Sequence, residues 1–361
     1  MKNQRIVASL ILCAYMIQMA VVPVVLAGPT GLSSSTPGVS FTGVGTSNTT
    51  ITSGALRSIV TAQGFDTVRG ETVNVVQSNN AAMLIKIGGP PTSYDGILNA
   101  MGRVFLLNPN GIFFGPNAQV NAGGLVASSL NITTANFLAG HYLFEGAGIE
   151  GPVKNMGRIH GAYDGVYLLA PNVENSGVIT TPGGTIVLAA GKTAFLSNRP
   201  DGQGFLAEIS APIGHAVNLK DLIADGGRIT LAGRVVNQEG LVQANSVRER
   251  NGKIELFASE TLTLKSGSQT IARGAGSGPS DGGTVLAIAD ISKGTAKFEQ
   301  GATVDVSGGA QGGHGGFVEL SGKQVKLGGR FLGDVRAGYQ GGRLLIDPVD
   351  VDLSGLSGSG L

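Results

Sequence analysis

At 361 residues the chain has room for one large domain or two ordinary ones. Its 59 glycines and 14% charged residues exclude a helical globular protein, because each glycine weakens a helix, and the lack of a G-X-Y period excludes collagen. With 25 basic against 24 acidic residues there is no electrostatic footprint for nucleic acid or an acidic membrane. Low charge with abundant Val, Ile and Leu suits a stacked β-architecture instead.

Taken in order, the chain opens on Lys2 and Arg5, followed by an almost wholly apolar stretch from Ile6 to Ala20. Val25-Leu26-Ala27 offers a small-residue cleavage site after Ala27, which makes residues 1–27 a secretory signal peptide. The single cysteine, Cys13, lies within it, so a mature chain starting near Gly28 has no disulfide and needs another source of stability. No second apolar stretch of membrane length follows. Residues Gly28 to Gly54 read as weak strands and turns, and Thr72 to Gln77 as a half-buried strand.

Arg103 to Leu130 is the most informative stretch. Val104 to Leu107 is an apolar strand, and Ile112-Phe113-Phe114 resumes it after Asn108-Pro109-Asn110-Gly111. Pro109 presets φ for the second position of a β-turn, while Asn110 and Gly111 tolerate the bridge or left-handed conformations that finish one. Two strands joined by a rigid polar corner follow. Beyond it, Ala135 to Gly140 is the one expected helix, with Thr133 or Thr134 as N-cap, read as a decoration outside the core.

From Val153 onward the sequence repeats. Val153 to Ile159 (VKNMGRI) and Val173 to Ile179 (VENSGVI) match position for position, and Val235 to Val242 is a looser third copy around Asn237 and Gly240. A second unit, a glycine pair opening a strand, recurs as GGTIVLAA from Gly183, GGRITLAG from Gly226, GGTVLAIA from Gly282 and GGFVELSG from Gly315. Units too small to bury their own apolar face mark a solenoid. Alternation such as Ile186/Leu188 and Ile254/Leu256 gives one face in and one out. A repeat near 20 fits one coil of a β-helix better than the larger blades of a propeller. About ten coils stacked ~4.8 Å apart would make a rod of roughly 50 Å. The expectation is an all-β, right-handed parallel β-helix with N-terminal capping strands and small extra-helical hairpins.

The signal peptide, the GETVNVVQ strand at Gly70 to Gln77 and GRVFLLNPNGIFFGPNAQVNAGGLVASSLNI at Gly102 to Ile132 together resemble the haemagglutination-activity domain. That is the amino-terminal secretion domain of filamentous-haemagglutinin-like exoproteins of two-partner secretion. The resemblance implies a secretion domain over residues 28–204 and a β-helical shaft over 205–361, the latter expected to be truncated because LLIDPVDVDLSGLSGSGL reads as mid-shaft. It also implies transit through the Sec machinery, recognition by a dedicated outer-membrane β-barrel transporter, and a secreted or cell-surface location on a Gram-negative bacterium. Asn108, Pro109, Asn110, Gly111 and Ile112 map onto the family's secretion motif, as a structural turn or a transporter-recognition element. The tryptophan often present in a family strand before that motif is missing, since the chain has no Trp.

Other candidate sites are weak. Gly191-Lys192-Thr193 ends like a phosphate loop, but that motif needs glycine where Ile186 stands. Asp350 to Gly355 starts like a calcium loop, yet its twelfth position is Leu361. His141, His160, His215 and His314 lack metal-ligand spacing. Asp201, Asp221 and Asp225 with Lys220 are the best carboxylate cluster for a polysaccharide lyase or hydrolase, and surface charges at coil corners explain them equally well. The expected function is therefore a non-enzymatic exoprotein without metal or cofactor, acting as a surface adhesin toward host-cell glycan or protein receptors. The alternatives are the N-terminal part of a contact-dependent toxin-delivery rod and, behind it, a β-helical polysaccharide lyase or hydrolase.

Overall fold

The computed structural model describes residues 28–200, 204–247 and 250–352; Ala27, Cys13 and Asp201 lie outside them. Strands in period two put every second side chain on one face, and here those faces close around a common axis. One parallel ladder runs through Thr49, Val73, Leu98, Val120, Ile159, Ile179, Leu222, Val242, Thr270 and Val304. A second runs through Val60, Ile85, Leu106, Ala127, Leu168, Leu188, Leu231, Leu256, Ala287 and Leu320. The third joins Thr92, Ile112, Val153, Val173, Ala216, Val236, Leu262, Ala296 and Val325. Nearly all of these residues are buried, and the apolar ones form one continuous core. The fold is a parallel β-helix with three faces. Each Val, Leu or Ile in the columns contributes about 1.5–3 kcal/mol by leaving water.

Antiparallel pairing is confined to the periphery. Ser33–Ser34 pairs with Arg57–Ala62 and Ser40–Thr42 with Asn48–Thr52, so that Leu32, Val39 and Phe41 pack over the first coils as a cap. Outside the tube, Tyr142–Glu145 and Phe205–Pro212 flank the outer half of Thr185–Asn198 in a small antiparallel sheet. The ladders pass residue 204 unbroken, because Thr185 pairs directly with Arg228 beyond this hairpin.

A uniform coil near 20 residues does not hold. Asn155 and Asn175 are one coil and 20 residues apart, whereas Asn175 and Asn218 are one coil and 43 apart, because the hairpin is inserted between them. The looser third repeat also reads differently in space. Asn218, in a copy the sequence pattern hides, follows Asn175 in the ladder, and Gln238, not Asn237, follows Asn218.

The expected helix forms over Thr134–Ala139, with Thr133 as N-cap accepting from the Asn136 amide and Gly140 closing the end in the left-handed region. It is not a decoration. Its Phe137 is fully buried, with its ring centroid 5.3 Å from that of Phe105. Ile59, Leu84, Phe105, Val126, Tyr167 and Val187 point out of the tube, and the helix and the small sheet cover them in a second core. Val104 to Leu107 is an unbroken apolar run for this reason, being buried on both faces.

Candidate functional site: the Asn-Pro corner

The motif residues lie between the strands Ile97–Leu107 and Ile112–Phe114, where the chain turns from one face of the tube to the next. The Asn108 carbonyl accepts from the Gly111 amide at 2.9 Å, closing a four-residue turn. Asn at its first position, Pro at the second and Gly at the fourth are the residues a type I turn favours. Positive φ is needed only at Gly111 (φ +112°). A Cβ there would sit 2.9 Å from the Pro152 carbonyl oxygen of the next coil, so the position is closed sterically as well.

Both asparagine side chains face the preceding coil. Asn108 is wholly buried; its Nδ2 donates to the Pro90 carbonyl at 2.7 Å and to Thr92 Oγ1 at 3.0 Å, while its Oδ1 accepts from the Asn110 amide. Asn110 is exposed, yet its Nδ2 donates to the Gly89 carbonyl at 2.8 Å. Backbone groups face the following coil: Pro109 O accepts from Gly151 N, and Pro152 O accepts from Ile112 N. Ile112 is buried in the third ladder between Thr92 and Val153. Beneath the corner, inside the tube, Phe65 stacks on Tyr94 at 6.1 Å between centroids, and Phe114 meets Tyr94 edge-on at 6.2 Å. The corner is thus stitched to both neighbouring coils, and only Pro109 and Asn110 present surface.

Pro109 also borders a groove of about 440 Å³ lined by Lys86, Ile87, Leu107, Leu130 and Glu150. Burial lowers the Lys86 pKa, and its ammonium donates to the Ile132 carbonyl at 2.7 Å.

The remaining sequence candidates do not assemble. Asp225 accepts from Gln243 Nε2 and the Asn245 amide, and no hydrogen bond joins it to Asp221. Gly191, Lys192 and Thr193 lie within the strand Thr185–Asn198 and form no loop. Among the described residues no group of three or more His, Cys, Asp or Glu side chains is placed to hold a metal ion. His160 instead bonds Thr180, and His314 Nδ1 accepts from the Gln340 amide. One motif escaped the reading above: Gly278-Pro279-Ser280-Asp281-Gly282 has the G-x-S-x-G pattern of a nucleophile elbow. It sits in a loop and not on a strand-to-helix turn, and the buried Ser280 hydroxyl has no base bonded to it.

Comparison with known proteins decides the family. The model of the TPS secretion domain matches residues 31–297. The chain belongs to the TPS secretion domain family. Its structure is similar to the crystal structure of the HMW1 secretion domain from Haemophilus influenzae, with TM-score 0.77, 25% identity, and coverage of 92% of this chain and 98% of that one. Two heme/hemopexin-binding proteins of Haemophilus influenzae are also similar. One is 30% identical over 97 residues, which is 26% of this chain and 10% of the relative. The other is 27% identical over 215 residues, 54% of this chain and 23% of the relative. The chain thus spans less than a quarter of the curated relatives it matches. TPS secretion domain proteins are secreted exoproteins of two-partner secretion, a system whose second partner is an outer-membrane transporter.

Proposed function

We propose that this TPS exoprotein is the amino-terminal part of a non-enzymatic surface adhesin, delivered to the periplasm by the Sec machinery after cleavage at Ala27. In this reading the Asn-Pro corner serves export through folding, by fixing an early coil on which later coils stack. One observation carries the corner's role: the side chains of Asn108 and Asn110 are both consumed by bonds to the preceding coil, which leaves little of the motif free to be read by the transporter. Co-expression of the whole chain with and without a two-partner transporter, followed by assay of the medium, tests the export route. Appearance in the medium without the transporter would overturn it. Adherence of expressing cells to epithelial cells tests the adhesin role, and unaltered adherence after deletion of the gene would sink it.

A second reading, haem or hemopexin capture, is favoured by the names of the two relatives above. Titration of the purified chain with haem discriminates it: a saturable shift of the Soret band supports capture, and a featureless titration removes it.

A further inference from the structure

The coils lengthen towards the C-terminal half, most of all at the corner between the first and second ladders. Gln269 pairs with Thr303 and Thr303 with Arg330, 34 and 27 residues on, where the shortest coils take 20 residues. At that corner the additional residues are two glycine-rich runs, GAGSGPSDGG at 274–283 and GGAQGGHGG at 308–316. These runs hold each other rigidly. Gly309 N donates to Ser280 O at 2.7 Å, Gly274 N to Ser307 O at 2.9 Å, and His314 N to Asp281 Oδ1 at 2.7 Å. A Cβ on Gly274 would collide with the Gly309 backbone, so the close approach of the two runs requires glycine there.

Between the runs and the shorter corner before them lies a groove of about 710 Å³. Its polar groups are pinned one to the next across successive coils. Asp225 Oδ1 accepts from Asn245 N at 2.8 Å, and Asn245 Oδ1 accepts from Arg273 N at 3.0 Å. Arg273 Nε donates to Asp305 Oδ2 at 2.6 Å, the Asp305 side chain being almost fully buried, and Ser307 Oγ accepts from Asp334 N at 3.1 Å. The Asp334 carboxylate is left on the exposed rim. Val247 and Leu332 supply apolar surface, and Ser246, 1% exposed, lines the groove with a hydroxyl that has no hydrogen-bond partner.

Fixed donors and acceptors repeated at a coil spacing of ~4.8 Å, beside small apolar patches, match a chain of sugar rings. Each ring offers hydroxyls that both donate and accept, together with an apolar C–H face. Charge narrows the class. Arg273 and Asp305 neutralise each other, which leaves the negative charges of Asp225 and Asp334, so uronic, sialylated or phosphorylated ligands are repelled. We propose that this groove binds a neutral oligosaccharide. The proposal concerns binding, not cleavage, and it rests on the adhesin reading for its biological use.

The test is an array of immobilised lacto-N-tetraose, maltohexaose and mannopentaose, with sialylated lacto-N-tetraose and hexagalacturonate as acidic counterparts, probed with the whole secreted chain. Saturable binding to at least one neutral glycan is expected, at least tenfold stronger than to either acidic one. It should fall at least tenfold in Asp334→Ala, which removes a rim acceptor, and in Ala310→Trp, which fills the groove from an exposed position. Both variants should keep the unfolding midpoint of the parent. Binding to no neutral glycan, preference for an acidic one, or binding that survives both substitutions would overturn the proposal. Adherence of expressing cells is scored separately. Cells that adhere while the array stays blank remove the groove and leave the adhesin reading intact, and a positive array with non-adherent cells does the reverse.

Discussion

Asn175 Nδ2 donates to Asn218 Oδ1 at 2.8 Å, joining two buried amides 43 residues apart in the chain. The same bond recurs on either side, from Asn155 to Asn175 and from Asn218 to Gln238, again at 2.8 Å. Each amide also donates to a carbonyl two residues on: Gly177 O from Asn175, Lys220 O from Asn218 and Gly240 O from Gln238. The corners at Asn155, Asn175, Asn218 and Gln238 are therefore closed from inside and tied to the next coil. Substituting Asn175→Leu leaves Asn218 Oδ1 without its donor, and leaves Asn155 Nδ2 and Gly177 O only their longer bonds, to Gly157 O at 3.4 Å and from Asp221 N at 3.3 Å. Buried polar groups left unpaired cost about 1–3 kcal/mol each. A loss of about 3 kcal/mol is expected, seen as a lower urea midpoint at unchanged slope. A midpoint within experimental error of the parent would show that the ladder adds nothing to stability.

The Asn-Pro corner predicts a rank order. Asn108→Asp places a carboxylate, with no proton to donate, against the Pro90 carbonyl and Thr92 hydroxyl in a fully buried site, and should reduce export at least tenfold. Gly111→Val combines positive φ with a clash against Pro152 and should come next. Asn110→Asp loses one exposed bond, to Gly89 O, worth about 1 kcal/mol, and should reduce export least. Quantifying the chain in the medium of transporter-expressing cells checks the order. Equal loss for Asn108→Asp and Asn110→Asp would favour direct reading of the motif by the transporter.

Much of the tube is legible in the sequence because period-two alternation and corner glycines are local signals. Ile186, Leu188, Ile254 and Leu256 all stand where the pattern puts them, inside the core. The corner is legible too, since Asn108, Pro109 and Gly111 meet the demands of one turn. What escapes is whatever an insertion displaces. Asn218 belongs to the buried ladder, but the hairpin separates it from Asn175, so no fixed spacing reveals it. Gln238 replaces asparagine in the same column, and its neighbour Asn237 offers a false match. The second core escapes for another reason. Phe137 and Phe205 come from segments with no repeat pattern, and only their three-dimensional return to Phe105 shows that the outer face of the strands is covered.

Phe105 is the hub of that second core, with the rings of Phe137, Tyr142, Phe144 and Phe205 at 5.0–6.5 Å. Phe105→Ala should cost about 3–5 kcal/mol, the usual range for a buried phenylalanine. The damage should be local. Amide hydrogen exchange should accelerate in Thr134–Ala139, Tyr142–Glu145 and Phe205–Pro212, while Ile229 and Leu231, deep in later coils, keep their protection. Uniform acceleration along the chain would mean that the two cores unfold as one unit.

Glu150 gives a pH dependence whose sign can be worked out. Partial burial acts to raise its pKa, but N–H groups of the surrounding loop outweigh that effect and hold the carboxyl below its ordinary 4.5. Ala147 N donates to Oε1 at 2.6 Å and Gly148 N to Oε2 at 2.8 Å. A carboxyl with a depressed folded pKa stabilises the fold above its unfolded value, and that contribution is lost as pH falls through the folded one. The group is largely solvent-exposed, so the effect should stay under about 1 kcal/mol. The Tm difference between the parent and Glu150→Gln should therefore be present at pH 7 and shrink towards pH 3. A difference that is constant across this range would show that the loop is held by its backbone alone, without the carboxylate.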